Sequence, residues 1–257
     1  MRADGRHARE LRNISLESGV NKYADGSAMI RLGDTVVYCT ASIENRVPPF
    51  LRGYGSGWVS AEYSMLPRAT QDRNQRDIRR GMPSGRSSEI QRLIGRSMRA
   101  AVHLGSIGER TVLLDCDVLQ AAGGTRTASV TAAFVCLVDA LRKIASADGL
   151  KGLPLAAHVA AVSVGLVEGS ILLDLSYEED KIAEADCNVV MTGSGDFVEV
   201  QCTGEKSPFS RKSLDCMLSL AQTGLETIFS AQREALRLSE AEARLFDSLN
   251  SRAEHGY

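Results

Sequence analysis

No stretch of this sequence reaches the roughly eighteen consecutive apolar residues that a membrane span requires. Its opening, Met1-Arg-Ala-Asp-Gly-Arg-His-Ala-Arg-Glu-Leu-Arg12, is too charged for a secretory signal. Both absences predict a cytoplasmic protein with no membrane partner. Histidine is scarce: His7, His103, His158 and His255 are scattered, so neither a histidine metal site nor a Ser/His or Cys/His nucleophile has visible support. The six cysteines lie far apart with no C-x-x-C pair, and buried reduced thiols are expected rather than disulfides or zinc ligands. A G-x-x-x-x-G-K-[ST] phosphate loop is missing too. Acid–base or metal chemistry must therefore use carboxylates.

What is present suits one large globular domain or two small ones: 257 residues, 44% of them hydrophobic, with 23 glycines. The formal net charge of −2 hides an asymmetry. Arg68, Arg73, Arg76, Arg79, Arg80, Arg86, Arg92, Arg96 and Arg99 face only Asp72, Asp77 and Glu89 over the same span, a balance of nine minus three, or +6. Residues 67–85 contain almost nothing apolar and predict a long mobile loop, which in a compact domain usually means function. An arginine-rich loop suits sequence-independent contact with nucleic-acid phosphates. Arginine outnumbers lysine throughout the chain, so composition bias and a solvated face explain part of this cluster.

A second feature is Gln120-Ala-Ala-Gly-Gly-Thr-Arg-Thr-Ala128. Upstream, Thr111 to Gln120 alternates as a half-buried strand does. Downstream, Val130, Phe134, Leu137, Val138 and Leu141 recur at helical spacing. The Gly-Gly-Thr-Arg stretch is thus expected at a helix N-terminus, where glycines admit a close anion and the helix dipole favours negative charge. Thr125 is expected to cap that helix and Arg126 to bind an anion bidentately. An ordinary glycine turn before a capped helix would explain the glycines and the threonine equally well.

The remaining pattern alternates hairpins and helices. Ser27 to Ile43 is a hairpin about Gly33-Asp34, and Gly57 to Tyr63 is a strand with the only tryptophan, Trp58. Ile90, Leu93, Ile94, Ser97, Met98, Ala101 and Val102 make an amphipathic helix whose arginines occupy its other faces, with Arg86 at its start. Hairpins follow about Glu168-Gly169 and about Gly193-Ser194-Gly195. A last long helix is expected to begin with Ser207 as cap and Pro208 in the first turn. Hairpin, strand and long helix occur in each half, suggesting an α+β fold built on a structural duplication. Residues 235–257 continue with weak helical amphipathicity and end in a polar tail expected to fray.

The connection from Asp174 to Asp186 packs six acids into thirteen residues, a donor type that hard divalent cations prefer. Asp186 opens a strand and Asp180 lies in the turn before it, so both can point to one spot at a sheet edge. A solvated acidic loop is the alternative. Asp115 and Asp117 form another pair, expected to be structural.

With these residues in place, the chain resembles the ribonuclease PH family from Arg2-Ala-Asp-Gly-Arg6 to about Gln232. The shared motifs are Leu32-Gly-Asp-Thr35, Gly57-Trp58 through Ala61-Glu-Tyr-Ser-Met-Leu-Pro-Arg68, Glu89-Ile-Gln-Arg-Leu-Ile-Gly-Arg96, Leu114-Asp-Cys-Asp-Val118, Gly123-Gly-Thr-Arg-Thr127 and Asp186-Cys-Asn-Val-Val-Met191. The resemblance implies a single α+β domain of the ribosomal protein S5 domain 2-like type over 1–234, with 235–257 as a helical extension. It implies a phosphorolytic 3′→5′ exoribonuclease, in reverse a nucleotidyltransferase, that trims tRNA precursors and other RNAs with inorganic phosphate and releases nucleoside diphosphates. A catalytically silent, RNA-binding ring subunit is the rival reading. By resemblance, phosphate falls to Arg86, Gly124, Thr125 and Arg126, and Mg²⁺ or catalysis to Asp180 and Asp186. RNA contacts fall to Arg68, Arg73 and Arg76, joined by Arg92, Arg96 and Arg99 of the arginine-bearing helix. The resemblance also implies a homo-oligomeric ring, a hexamer made as a trimer of dimers. Departures lie at Ala122, where the family usually has aspartate, and at Cys202, Gly204 and Lys206, where it has glycine, alanine and glycine.

Overall fold

The computed structural model describes residues 2–76, 81, 82 and 84–251. Asp77, Arg79 and Arg80 of the basic stretch and the polar tail from Arg252 lie outside the described residues. Among those described, no helix is long and apolar enough to cross a membrane.

In the first half, β1 (Ile14–Ser18) precedes the hairpin of β2 (Gly26–Leu32) and β3 (Thr35–Glu44), which turns where the alternation breaks at Gly33-Asp34. Then come β4 (Trp58–Met65), α1 (Gly85–Ala100), β5 (Thr111–Gln120) and α2 (Thr125–Asp148). The sheet order is β1-β2-β3-β5-β4, antiparallel except for β4 beside β5. A parallel pair needs a crossover, and α1 supplies it. The second half holds β6 (Val159–Val167), β7 (Ser170–Leu173), α3 (Tyr177–Ile182), β8 (Ala185–Thr192), β9 (Phe197–Gly204), α4 (Arg211–Leu236) and α5 (Glu240–Asn250). Its sheet runs β7-β6-β8-β9, antiparallel throughout.

One helix organises both halves. Seventeen of the 24 residues of α2 are buried, so its apolar character extends round most of its circumference, as a helix packed on several sides requires. It lies on β2, β3 and β5 of the first sheet and on β6 of the second. Along β6, Val159 and Ala161 join the core around α2, while Ala160, Val162 and Val164 join Met217, Ala221, Leu225 and Ile228 of α4. Such two-sided burial leaves a continuous apolar run in place of alternation, each full-length aliphatic side chain contributing about 2 kcal/mol. The extension docks through α5, whose buried Phe246 meets Phe134 and His158 edge-on.

Three expectations need correction. The last long helix starts three residues later than its Ser-Pro signal suggests. Ser210 is the cap, accepting from the Ser213 amide at 3.0 Å, because Phe209 before it and Leu214 within the helix then both pack into the α4 core. The acidic connection contains a six-residue helix, α3, closed by a Ser176/Glu179 capping box, and Asp180 lies on it rather than in a turn. Cys187 and Cys202 form a disulfide instead of remaining thiols, because they are direct cross-strand partners on β8 and β9 with Cα atoms 4.0 Å apart. Cys39, Cys116 and Cys136 are buried thiols as expected, whereas Cys216 is exposed.

Candidate active site

The starts of α1 and α2, α3, the first residues of β8, Ser163 of β6 and the residues just after β9 surround a cavity of about 430 Å³. Arg86, Gly124, Thr125, Arg126, Asp180 and Asp186 all line it, although they come from four separate elements. A larger cavity of about 670 Å³ adjoins it, sharing Arg86, Gly124, Thr125 and Asp180, and takes in Thr70, Gln71, Asp72 and Asn74 of the basic loop and Tyr177.

The Gly-Gly turn is forced by its surroundings. Gly123 and Gly124 have φ of 95° and 67°, the left-handed region. A Cβ on Gly123 would lie 2.6 Å from the Tyr177 nitrogen and 2.7 Å from the Leu175 carbonyl, backbone atoms that cannot move aside cheaply. Gly124, and not Thr125, is the N-cap of α2. Thr125 is already helical, and its Oγ1 sits 2.9 Å from the buried Tyr63 hydroxyl, so it is unavailable as a cap. No side chain therefore covers the helix start. Among the described residues, the amides of Gly123, Gly124, Thr125 and Arg126 have no protein acceptor. Open amides plus the helix dipole make an anion seat.

Arg126, in the first turn of α2, donates through Nη1 to Gln201 Oε1 at 2.7 Å and to Glu89 Oε1 at 3.3 Å. The Gln201 amide in turn donates to Glu89 Oε1 at 2.5 Å. This leaves Nε and Nη2 of Arg126 uncommitted. Arg86 is exposed and has no hydrogen bond or ion pair among the described residues. Glu89 and Gln201 are site residues that the sequence reading missed. Glu89 was findable, one helical turn beyond Arg86. Gln201 was not, since only the β8–β9 pairing brings it there.

The carboxylates carry the opposite charge. Burial, and then the neighbouring Asp180, push Asp186 up to about 6 against the pull of Arg126; among the described residues it accepts hydrogen bonds only from the Asn188 amide, at 3.3 and 3.4 Å. Partial burial in the cleft raises Asp180 too, with Arg86 and Arg126 opposing. A buried carboxylate raised further by a neighbouring one is the arrangement a divalent cation relieves. Among the described residues no three or more His, Cys, Asp or Glu side chains converge as a metal cluster. Asp180 and Asp186 thus supply two oxygen donors, which fits an ion that takes its other ligands from phosphate and water.

The candidate RNA arginines fall into two sets. Arg68, Arg73 and Arg76 are exposed on the loop, Arg68 donating to the Gln71 carbonyl at 2.8 Å. Of the α1 set, Arg92 is exposed, Arg96 pairs bidentately with Glu199 at 2.7 and 2.8 Å, and Arg99 lies 4.3 Å over the Trp58 ring while donating to the Val59 carbonyl. Asp115 and Asp117, on β5, do not line the cavity and are raised mainly by burial. At Ala122 the backbone alone holds the turn: its carbonyl accepts from the Tyr177 amide at 3.0 Å and its amide donates to Thr35 Oγ1 at 3.0 Å.

An uncapped helix N-terminus and two arginines sharing a cavity with paired carboxylates, beside an arginine-bearing loop, define an α+β enzyme class that handles phosphate next to a polyanion. Sequence comparison gives the family: profiles of the 3′ exoribonuclease family match residues 10–143 (domain 1) and 157–224 (domain 2), and the chain belongs to that family. It is 53% identical over 236 residues to ribonuclease PH of Moorella thermoacetica, covering 92% of this chain and 94% of that protein. Its fold is similar to rice Rrp46 (TM-score 0.74, 19% identity, 91% of this chain and 100% of that one). A chain of the Archaeoglobus fulgidus exosome with RNA bound to the active site is also similar (TM-score 0.75, 23% identity, 88% and 91%).

Proposed function

We infer that this chain is a phosphorolytic 3′→5′ exoribonuclease, working in the cytoplasm on tRNA precursors and other RNAs and, in reverse, acting as a nucleotidyltransferase. The observation that carries this reading is the meeting of an open anion seat and a carboxylate pair in one cavity. Inorganic phosphate is held by Arg86, Arg126 and the Gly124 and Thr125 amides, which neutralise it enough to approach a second anion. Its oxygen attacks the terminal phosphodiester phosphorus, the bond to the penultimate 3′-oxygen breaks, and a nucleoside diphosphate leaves. Asp180 and Asp186 are the residues that would hold Mg²⁺, which when bound supplies charge stabilisation at the reacting phosphate. Asp186, raised to about 6, is alternatively the proton donor to the leaving 3′-oxygen. Phosphate-dependent release of nucleoside diphosphates from a single-stranded 3′ end tests the reading. The silent-subunit alternative loses ground because Arg86, Arg126, Asp180 and Asp186 are all present and converge.

Arg68, Arg73 and Arg76 are assigned to the RNA backbone. Replacing all three by alanine is expected to weaken RNA binding and to flatten the plot of log affinity against log salt by about 2, near 0.7 per lost single-strand phosphate contact. Fluorescence anisotropy over a salt series measures this; an unchanged slope removes the loop from the RNA path.

The exosome relatives suggest a ring, and we assign this chain to a homohexamer built as a trimer of dimers. The exposed Phe50 and Tyr54 suit such contacts. Light scattering is expected to give six protomers; a monomer at working concentration contradicts the assignment.

A further inference from the structure

Arg12 lies outside every motif that marks the site, yet its side chain reaches the back of the Gly-Gly turn. Its Nη1 donates to the Ala122 carbonyl at 2.9 Å and its Nη2 to the Gly123 carbonyl at 3.3 Å. Nε and Nη2 also bind the two carboxylate oxygens of Asp174 at 2.9 and 2.6 Å, and the Arg12 amide donates to Asp174 Oδ2 at 2.8 Å. The pair is almost dry, with side chains 7% and 1% exposed. Thr35 adds a second tether: its hydroxyl donates to the Gly123 carbonyl at 2.6 Å and accepts from the Ala122 amide. Three remote segments, those of Arg12, Thr35 and Asp174, thus converge behind one turn.

The geometry points to a role for this cluster. We propose that Arg12, held by Asp174 and assisted by Thr35, is a positioning residue for phosphate: it fixes the turn so that its amides present themselves to the anion. A trans peptide unit is planar, with its C=O and the following N–H pointing in opposite directions. Securing the Ala122 and Gly123 carbonyls at the back of the turn therefore turns the Gly123 and Gly124 amides the other way, and Gly124 lines the cavity. Without those tethers the Tyr177 amide alone still holds the Ala122 carbonyl, and the Gly123–Gly124 peptide unit loses both bonds to its carbonyl, so the turn can rotate there, since both glycines tolerate many backbone conformations. The anion seat would then survive in sequence but lose its aim.

Asp174 is itself held firmly. It adopts a φ of 53°, rare for a residue with a side chain, and its carbonyl accepts from Arg2 at 2.8 Å and from Arg6 at 3.1 Å. Arg2 also grips Glu179 of α3 through two bonds of 2.6 Å. The phosphate turn and the helix bearing Asp180 are consequently braced by one N-terminal framework.

The proposal rests on the reading that the turn binds inorganic phosphate, so its test measures that binding directly, on the full chain without RNA. Arg12→Lys keeps a positive charge opposite Asp174 but cannot reproduce a fork that serves a carboxylate and two carbonyls together. Thr35→Val removes the hydroxyl tether at nearly constant volume. Calorimetric titration with inorganic phosphate is expected to show affinity about tenfold weaker in each, matching the loss of a hydrogen bond in a dry site. The KM for phosphate should rise by the same factor, while the KM for RNA stays close to that of the parent chain. Unchanged phosphate affinity in folded variants overturns the proposal, as does a fall in melting temperature with phosphate binding intact. If Arg12→Lys does not fold, Thr35→Val decides alone. A parent chain that binds no phosphate overturns both this proposal and the functional reading, whereas equal binding by all three chains overturns the positioning role only.

Discussion

Arg126→Ala is expected to lower phosphorolysis by about two to three orders of magnitude while leaving RNA affinity nearly unchanged, the loss typical of removing one preorganised donor at developing charge. Gln201 and Glu89 occupy only Nη1 of this guanidinium, so two donor groups remain for phosphate. The exposed loop arginines Arg68, Arg73 and Arg76 do not line the phosphate cavity, which is why binding and chemistry should separate. Arg126→Lys restores charge without the fork and should recover only part of the rate. Single-turnover rates and anisotropy on one RNA check this. A parallel fall in rate and RNA affinity would make Arg126 an RNA contact or a structural residue instead.

Asp186→Asn should cost about a thousandfold, near 4 kcal/mol of barrier, and Asp180→Asn a comparable amount. The double variant is expected to be little worse than either single one, because groups acting as a unit are not additive. Folding should not suffer. Burial and the neighbouring Asp180 both raise Asp186, so neutralising either carboxylate removes unfavourable charge and the melting temperature should hold or rise. A Mg²⁺ titration then separates the two roles. If the pair holds the cation, both variants shift the ion concentration for half-maximal rate; if Asp186 protonates the leaving oxygen, its variant stays slow at every ion concentration. Parent-like turnover by Asp186→Asn at all ion concentrations would remove it from the chemistry.

The fold was legible wherever burial has a period. The hairpin about Gly33-Asp34 and the helix α1 follow directly from alternation and from the 3.6-residue spacing of Ile90, Leu93, Ile94 and Met98. Short or competing signals misled. Helix α3 is too short for its period to show, and Ser207-Pro208 imitates the cap that Ser210 provides. Of the site, the residues offered to ligand were visible because an exposed arginine run and a glycine pair are unusual in themselves. The residues that hold them were not. Gln201 and Arg12 reach Arg126 and the turn across 75 and 110 positions of chain, and the Cys187–Cys202 bond depends on strand register. Such contacts exist only once the sheets have formed.

Phosphate dependence with products resolved tests the central claim most directly. The purified chain is incubated with an RNA bearing a single-stranded 3′ end, with and without inorganic phosphate, and the released nucleotides are separated. Shortening only when phosphate is present, with nucleoside diphosphates as product, is the predicted result. Nucleoside monophosphates, or shortening that continues after phosphate is removed, would show hydrolysis and contradict the account.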